Sequence, residues 1–234
     1  MLFDLRGSGR RRTVKIVYIT LAFLMGGGLV FFGIGGGGAL SGGLVDAITE
    51  SNSGGGSGTE RFREVEQKAT AAARARPKDA RLWAAVARAR FNLASAGDSV
   101  DPSTGEYSAD GKRELEAAGR AWEEHLKLAD DKPDSRVASL MVQAYSVLGQ
   151  FDEAATAQEV IALDRNSLGA YTTLAQLAYQ AGQLRKGDLA ATKAVDLAPK
   201  DEQKELKADL DSYKSQAAAS QLQQAVPSAT PTGG

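Results

Sequence analysis

Two hydrophobic patterns divide the chain. From Ile16 to Val45 no charged residue occurs, and the stretch Ile16–Ile34 is densely apolar. Wound as a helix at about 1.5 Å per residue it would measure roughly 29 Å, close to the ~30 Å hydrocarbon core of a bilayer. That run predicts a transmembrane helix. From Thr59 to about Gln224 the chain instead reads as one helical segment after another, rich in Ala, Leu, Glu, Lys and Gln and without an alternating strand pattern. Breaks at "RPKDAR", "AGDSVDPSTGEYSADGK", "DDKPDS", "LGQ", "LDRNS", "AGQ" and "APKD" predict an all-α array of antiparallel helical hairpins.

The flanks of the apolar run orient it. Arg6, Arg10, Arg11, Arg12 and Lys15 precede it, and no Lys or Arg follows until Arg61. Basic residues stay on the cytoplasmic side, so residues 1–15 are expected inside the cytoplasmic membrane and the bulk of the chain outside. A cleaved signal has a shorter apolar region and a small-x-small site, and "GGALSGG" matches that only loosely. "RRTVK" also resembles a twin-arginine export signal, a reading that implies folded cargo and cleavage. A retained anchor over residues 16–34 fits the length best. Gly26, Gly27 and Gly28 fall at mid-membrane depth, where small residues let a second transmembrane helix approach closely. Gly33 to Gly38 read instead as the start of a Gly/Ser-rich linker over 35–58, a loose tether with a span of about 25 to 30 Å. The end, 225–234, is Pro/Thr-rich and reads as disordered.

Within the helical array lies an internal repeat. Gly149 and Gly182 are 33 residues apart, as are Ala154 and Gly187, while Leu163 and Leu197 are 34 apart. The best copy runs Tyr171, Leu174, Ala175, Ala178, Gly182, Gly187, Ala191, Ala194, Pro199. Its order of large, small and turn residues resembles the tetratricopeptide repeat, a helix-turn-helix of about 34 residues. The preceding copy keeps Met141, Tyr145, Gly149, Phe151 and Ala154 but has Asn166 in place of the closing proline. A degenerate first copy has Trp83, Val86 and Ala87 at signature positions, and Arg90 where an aromatic is usual. Its second helix is expected over Lys112 to about Leu128, with Ala118 and Trp122 packing back, after an inserted loop at 97–111. The helix from Thr59 to Arg76 looks like half a repeat, and 201–222 like a solvating cap, giving three repeats with flanking helices over 59–224.

The resemblance implies a curved stack whose first helices line a groove for extended peptides or partner helices. Carried across residue by residue, the groove positions are Arg81, Arg88, Arg136, Gln143, Gln176, Tyr179 and Gln180. Ala84, Arg88, Gly169 and Thr173 stand where some relatives carry a Lys/Asn clamp for a C-terminal carboxylate, so capture of chaperone C-termini is disfavoured. An anchor followed by an extracytoplasmic repeat domain is similar to the ancillary translocon subunits of Gram-negative bacteria. "MLFDLRG" resembles the opening of membrane-anchored isomerases and repeat proteins of actinobacteria. The expected role is a protein-binding scaffold or chaperone adaptor on the outer side of the membrane. The alternative is an accessory or assembly subunit for a cell-envelope enzyme, transporter or cytochrome maturation system, held through the glycine face of its membrane helix.

Charge and chemistry narrow the classes further. With a net charge of -1 and no basic stripe interleaved with aromatics, nucleic acid is not an expected partner. The absence of cysteine removes disulfides, thiolate metal sites and thiol nucleophiles. His125 has no second histidine for a metal pair and reads as a surface residue. "GEYSADGKR" has five residues between its glycines, and Arg113 stands where a magnesium-binding hydroxyl belongs, so it is no phosphate loop. Asp98, Asp101, Glu106 and Asp110 have oxygen ligands, but their spacing does not match the calcium hand and reads as a solvated acidic loop. Glu123 and Glu124 are adjacent on a helix and point apart, the wrong geometry for joint acid-base work. No enzyme, cofactor or metal site is expected.

Overall fold

The computed structural model describes residues 58–225 other than 102 and 131. These residues belong to one unit that begins at Gly56. Among them the fold is all-α: α1 (Gly58–Ala75), α2 (Ala80–Ala94), α3 (Ala109–Leu128), α4 (Ser135–Leu148), α5 (Phe151–Arg165), α6 (Leu168–Gln180), α7 (Leu184–Leu197) and α8 (Gln203–Ala225). None of these helices is long and apolar enough to cross a membrane. The expected transmembrane helix, with Gly26, Gly27 and Gly28, lies outside the described residues, as do nearly all of the linker and the last nine positions.

Helix boundaries follow from capping residues. Asp79 starts α2 by accepting from the Arg81 N–H, and Asp134 starts α4 by accepting from the Arg136 and Val137 N–H groups at 2.9 and 3.2 Å. Ser108 does the same for Gly111 at the start of α3, and Ser167 for Ala170 at the start of α6. Two hairpin turns use a left-handed glycine: Gly149 has φ 71° and Gly182 φ 74°. In the first the Gln150 N–H bonds the Tyr145 carbonyl at 2.8 Å, and in the second Gln183 bonds Ala178 at 2.8 Å. The sequence repeat is therefore a structural repeat, since each six-to-one bond closes the same turn 33 residues on.

Helices pair as three consecutive hairpins: α2 with α3, α4 with α5, α6 with α7. Each first helix also touches the second helix before it, α1 included, so that every hairpin buries its apolar face against a neighbour. One continuous core results, floored by alanines such as Ala87, Ala118, Ala144, Ala154 and Ala178, each 0% exposed, and plugged by Trp122, Leu115 and Met141. Small residues let the helix backbones approach, and the large side chains fill what the alanines leave open.

The first hairpin departs from this scheme in two ways. Its connection is ordered: Val100 and Tyr107 form an isolated bridge, the Asp101 N–H bonds Glu106, and the Ser108 N–H bonds Ser99 at 2.9 Å. The second helix starts at Ala109, three residues before the expected Lys112, because Ser108 supplies the cap. In addition, Arg90 takes the place of a core aromatic by pairing twice, its guanidinium lying 2.6 Å from Glu66 on α1 and 2.8 Å from Glu114 on α3. Thr70 donates to the same Glu66 oxygen at 2.7 Å, so Glu66, 8% exposed, is buried with its charge matched.

His125 is corrected by the structure from a surface to a core residue, at 4% exposure. Its Nε2 accepts from the Asp134 N–H at 3.0 Å, which leaves Nδ1 as the donor to the Ala80 carbonyl at 2.8 Å. One imidazole thus ties α3 to the first residue of α2 and to the cap of α4. Charged neighbours in "WEEHLK" hide the reason in sequence. His125 stands seven residues after Ala118 and three after Trp122, on the buried face of α3.

Candidate functional site

The candidate groove lies on the first helices. At about 100° per residue, Arg81 and Arg88 share one side of α2, Arg136 and Gln143 share one side of α4, and Gln176 and Gln180 share one side of α6. Core residues Trp83 and Val86 on α2, and Tyr171 and Leu174 on α6, fall on the opposite sides. Arg81, Arg136 and Gln180 are exposed, while Arg88, Gln143 and Gln176 are half-buried. Because α2 also touches α4, the stripes of the first two hairpins are neighbours.

The structure ties the Arg88 side chain to the start of α4, just before Arg136, through a residue that sequence reasoning passed over. The Arg88 guanidinium is 3.6 Å from Asp134 Oδ2, while Asp134 Oδ1 accepts the Arg136 backbone N–H. Asp134 is thus both the cap of α4 and the ion-pair partner of Arg88. A helix-start Asp followed by Arg two residues on is visible in the sequence, but its partner on α2 is 46 positions away. Arg81 and Arg136 form no ion pair among the described residues, so this end of the face keeps an excess of positive charge and free guanidinium donors.

Tyr179 does not belong to the groove. It is 1% exposed, with its ring lying on Gly187 of α7 so closely that a Cβ there would sit 2.4 Å from the ring Cε1. Its hydroxyl donates to Asp188 at 2.9 Å, and Lys214 of α8 contacts both Asp188 oxygens and stands 5.8 Å from the ring centre. The hydrogen bond from Lys214, and then that from Tyr179, hold the Asp188 carboxyl below the usual carboxylate range. Burial, with Asp188 nearby, pushes the Tyr179 phenol upward. Gln180 is likewise engaged at the end of α6, its amide contacting the Tyr213 hydroxyl. Gln221 of α8 donates to the Tyr179 and Gln180 carbonyls at 3.0 Å each, satisfying two acceptors that the helix end leaves open. Helix α8 therefore packs against the C-terminal end of the face, where Gln180 stays exposed but is engaged by Tyr213, leaving Arg81, Arg88, Arg136, Gln143 and Gln176 as accessible members without a hydrogen bond or ion pair to α8 among the described residues.

Among the described residues no group of three or more His, Asp or Glu side chains is placed to hold a metal ion. In the inserted loop, Asp101 instead accepts from Ser103 and Thr104, its carboxyl held below the usual range chiefly by the Ser103 hydroxyl. No protein-family model matches the chain, and no curated protein matches it.

Proposed function

We propose that this chain is a membrane-anchored tetratricopeptide-repeat scaffold, which holds partner proteins on the outer side of the cytoplasmic membrane beside the export machinery. The observation that carries the reading is the stripe of Arg81, Arg88 and Arg136 on adjoining first helices, of which only the Arg88 guanidinium pairs with a carboxylate, Asp134, and which no contact described for α8 covers. Guanidinium forks with half-buried glutamines beyond them suit the carboxylates and main-chain carbonyls of an extended segment. Support for the repeat assignment comes from the two glycine turns closed by the same bond 33 residues apart and from the small residues Ala118, Ala154 and Gly187 at equivalent positions of the second helices. Support for the anchor comes from the uncharged length of Ile16–Ile34 and the arginines before it.

The test is photocrosslinking in living cells, with a reactive residue at Arg136 on the open face and another at Gly28 in the apolar run. Capture of many exported chains at Arg136 and of a translocon component at Gly28 is the expected result. Nothing at Arg136 with a single enzyme or transporter at Gly28 would replace the scaffold by an accessory subunit.

A further inference from the structure

On the side of the stack opposite the arginine stripe, successive second helices leave a pocket over each first helix. Between α1, α2 and α3 a pocket of about 380 Å³ is lined by Trp83 and Val86 with Arg74 and Arg120 at its rim. Between α5, α6 and α7 a pocket of about 420 Å³ is lined by Tyr171 and Leu174 with Leu163 and Leu189 at its rim. The rims are equivalent positions. Arg74, Lys127 and Leu163 each follow an inward residue near the end of their helix, namely Ala73, Leu126 and Ala162. Arg120, Thr156 and Leu189 each stand two residues after the small contact residue Ala118, Ala154 or Gly187.

The fold thus accepts arginine, lysine or threonine at these rims, and only at the pocket over α6 are both apolar. Leu163 is 70% exposed and Leu189 65%. No packing requirement of the repeat explains two leucines held in water at positions that tolerate charge elsewhere, whereas an interface does. Three charged side chains line this pocket. Lys186 pairs with Glu159 at 2.8 Å, and Arg185 has no ion-pair partner among the described residues. The unmatched charge is positive.

We infer that this pocket is a second docking site, for a segment of another protein that inserts a large apolar side chain between Leu163 and Leu189 and places a carboxylate on Arg185. A buried aliphatic anchor with one ion pair at the rim is the arrangement by which small sites gain both affinity and orientation. The inference is independent of the groove proposal, since none of the groove residues lines the pocket.

The full chain in lipid nanodiscs tests it by fluorescence anisotropy against labelled peptides carrying paired leucines between aspartates, the same leucines between lysines, and serines between aspartates. The aspartate-leucine peptide is expected to bind at least about ten-fold tighter than the other two. Arg185→Glu should invert the preference between aspartate and lysine flanks. Leu163→Arg with Leu189→Arg should remove binding without loss of helical circular dichroism, since arginine already occupies both equivalent positions, Arg74 and Arg120, at the pocket over α2. Equal binding of the three peptides, binding by none, or loss of binding on Arg136→Glu with Leu189→Arg silent would overturn the inference. So would a concentration-dependent mass increase abolished by Leu189→Arg, which would assign the pocket to a second copy of this chain.

Discussion

In the first hairpin the inner face of α2 carries Arg90, locked between Glu66 and Glu114, and His125 bonds two backbone groups from the far side. In the third hairpin the position equivalent to Arg90 is Ala178, fully buried, and the neighbouring Tyr179 fills the space above Gly187 under a covering helix. The second hairpin is intermediate, with Tyr145 at that position donating to the Gly119 carbonyl at 3.2 Å. One backbone scaffold is therefore held by ion pairs at one end and by aromatic rings on glycine at the other. The lesson is that a repeat fixes where a contact must occur, while the chemistry of that contact is set by its neighbours.

The contrast is open to direct attack. Trp122 is 1% exposed at the centre of the first hairpin, so Trp122→Ala should cost about 3–5 kcal/mol, read as a lowered denaturation midpoint. Arg90→Ala strands the buried Glu66 carboxylate and should cost about 3 kcal/mol. Hydrogen exchange sharpens that result: amides of α2 and α3 should exchange faster, and those of α6 and α7 should not. Conversely Gly187→Ala should act on the third hairpin alone. Alanine normally gains about 1 kcal/mol over glycine inside a helix. Here the new Cβ meets the Tyr179 ring, and a net loss of about 2 kcal/mol is expected, larger than for Gly119→Ala, where the Tyr145 contact is 2.9 Å.

Smallest is a pH effect shared by the two tyrosines. Burial pushes the Tyr145 and Tyr179 phenols up, so the folded state keeps protons that the unfolded chain releases near pH about 10. Their contribution is fully present below that pH and is lost as pH rises above it. Thermal melts should fall on the alkaline side, and Tyr145→Phe should shallow that fall.

Much of the architecture was legible because it is local. Capping residues, left-handed glycines and small residues at fixed spacing each act within one turn, which is why the helix ends fell within a few residues of expectation. What escaped was set by distant partners. The Arg90 carboxylates lie 24 residues away on either side, and Asp134 lies 46 from Arg88. Tyr179 occupies a groove position by spacing and still faces inward, because Gly187 vacates room beneath its ring and α8, with no repeat signature, lies over it. His125, read as a surface residue for want of a second histidine, is buried because it follows Ala118 and Trp122 on the inward face of α3. Of the candidate face, every member but Tyr179 keeps accessible surface, although Gln180 at its far end is engaged by the chain's own last helix.

The central claim is that the helical stack works outside the cytoplasmic membrane. The chain contains no cysteine, so a single Ser146→Cys variant on the exposed end of α4 reports its own location without background. Intact spheroplasts treated with a membrane-impermeant maleimide should label it fully, and a Ser8→Cys variant should label only after lysis. Labelling of position 8 from outside, or protection of position 146 until lysis, would contradict the account whatever the stack binds.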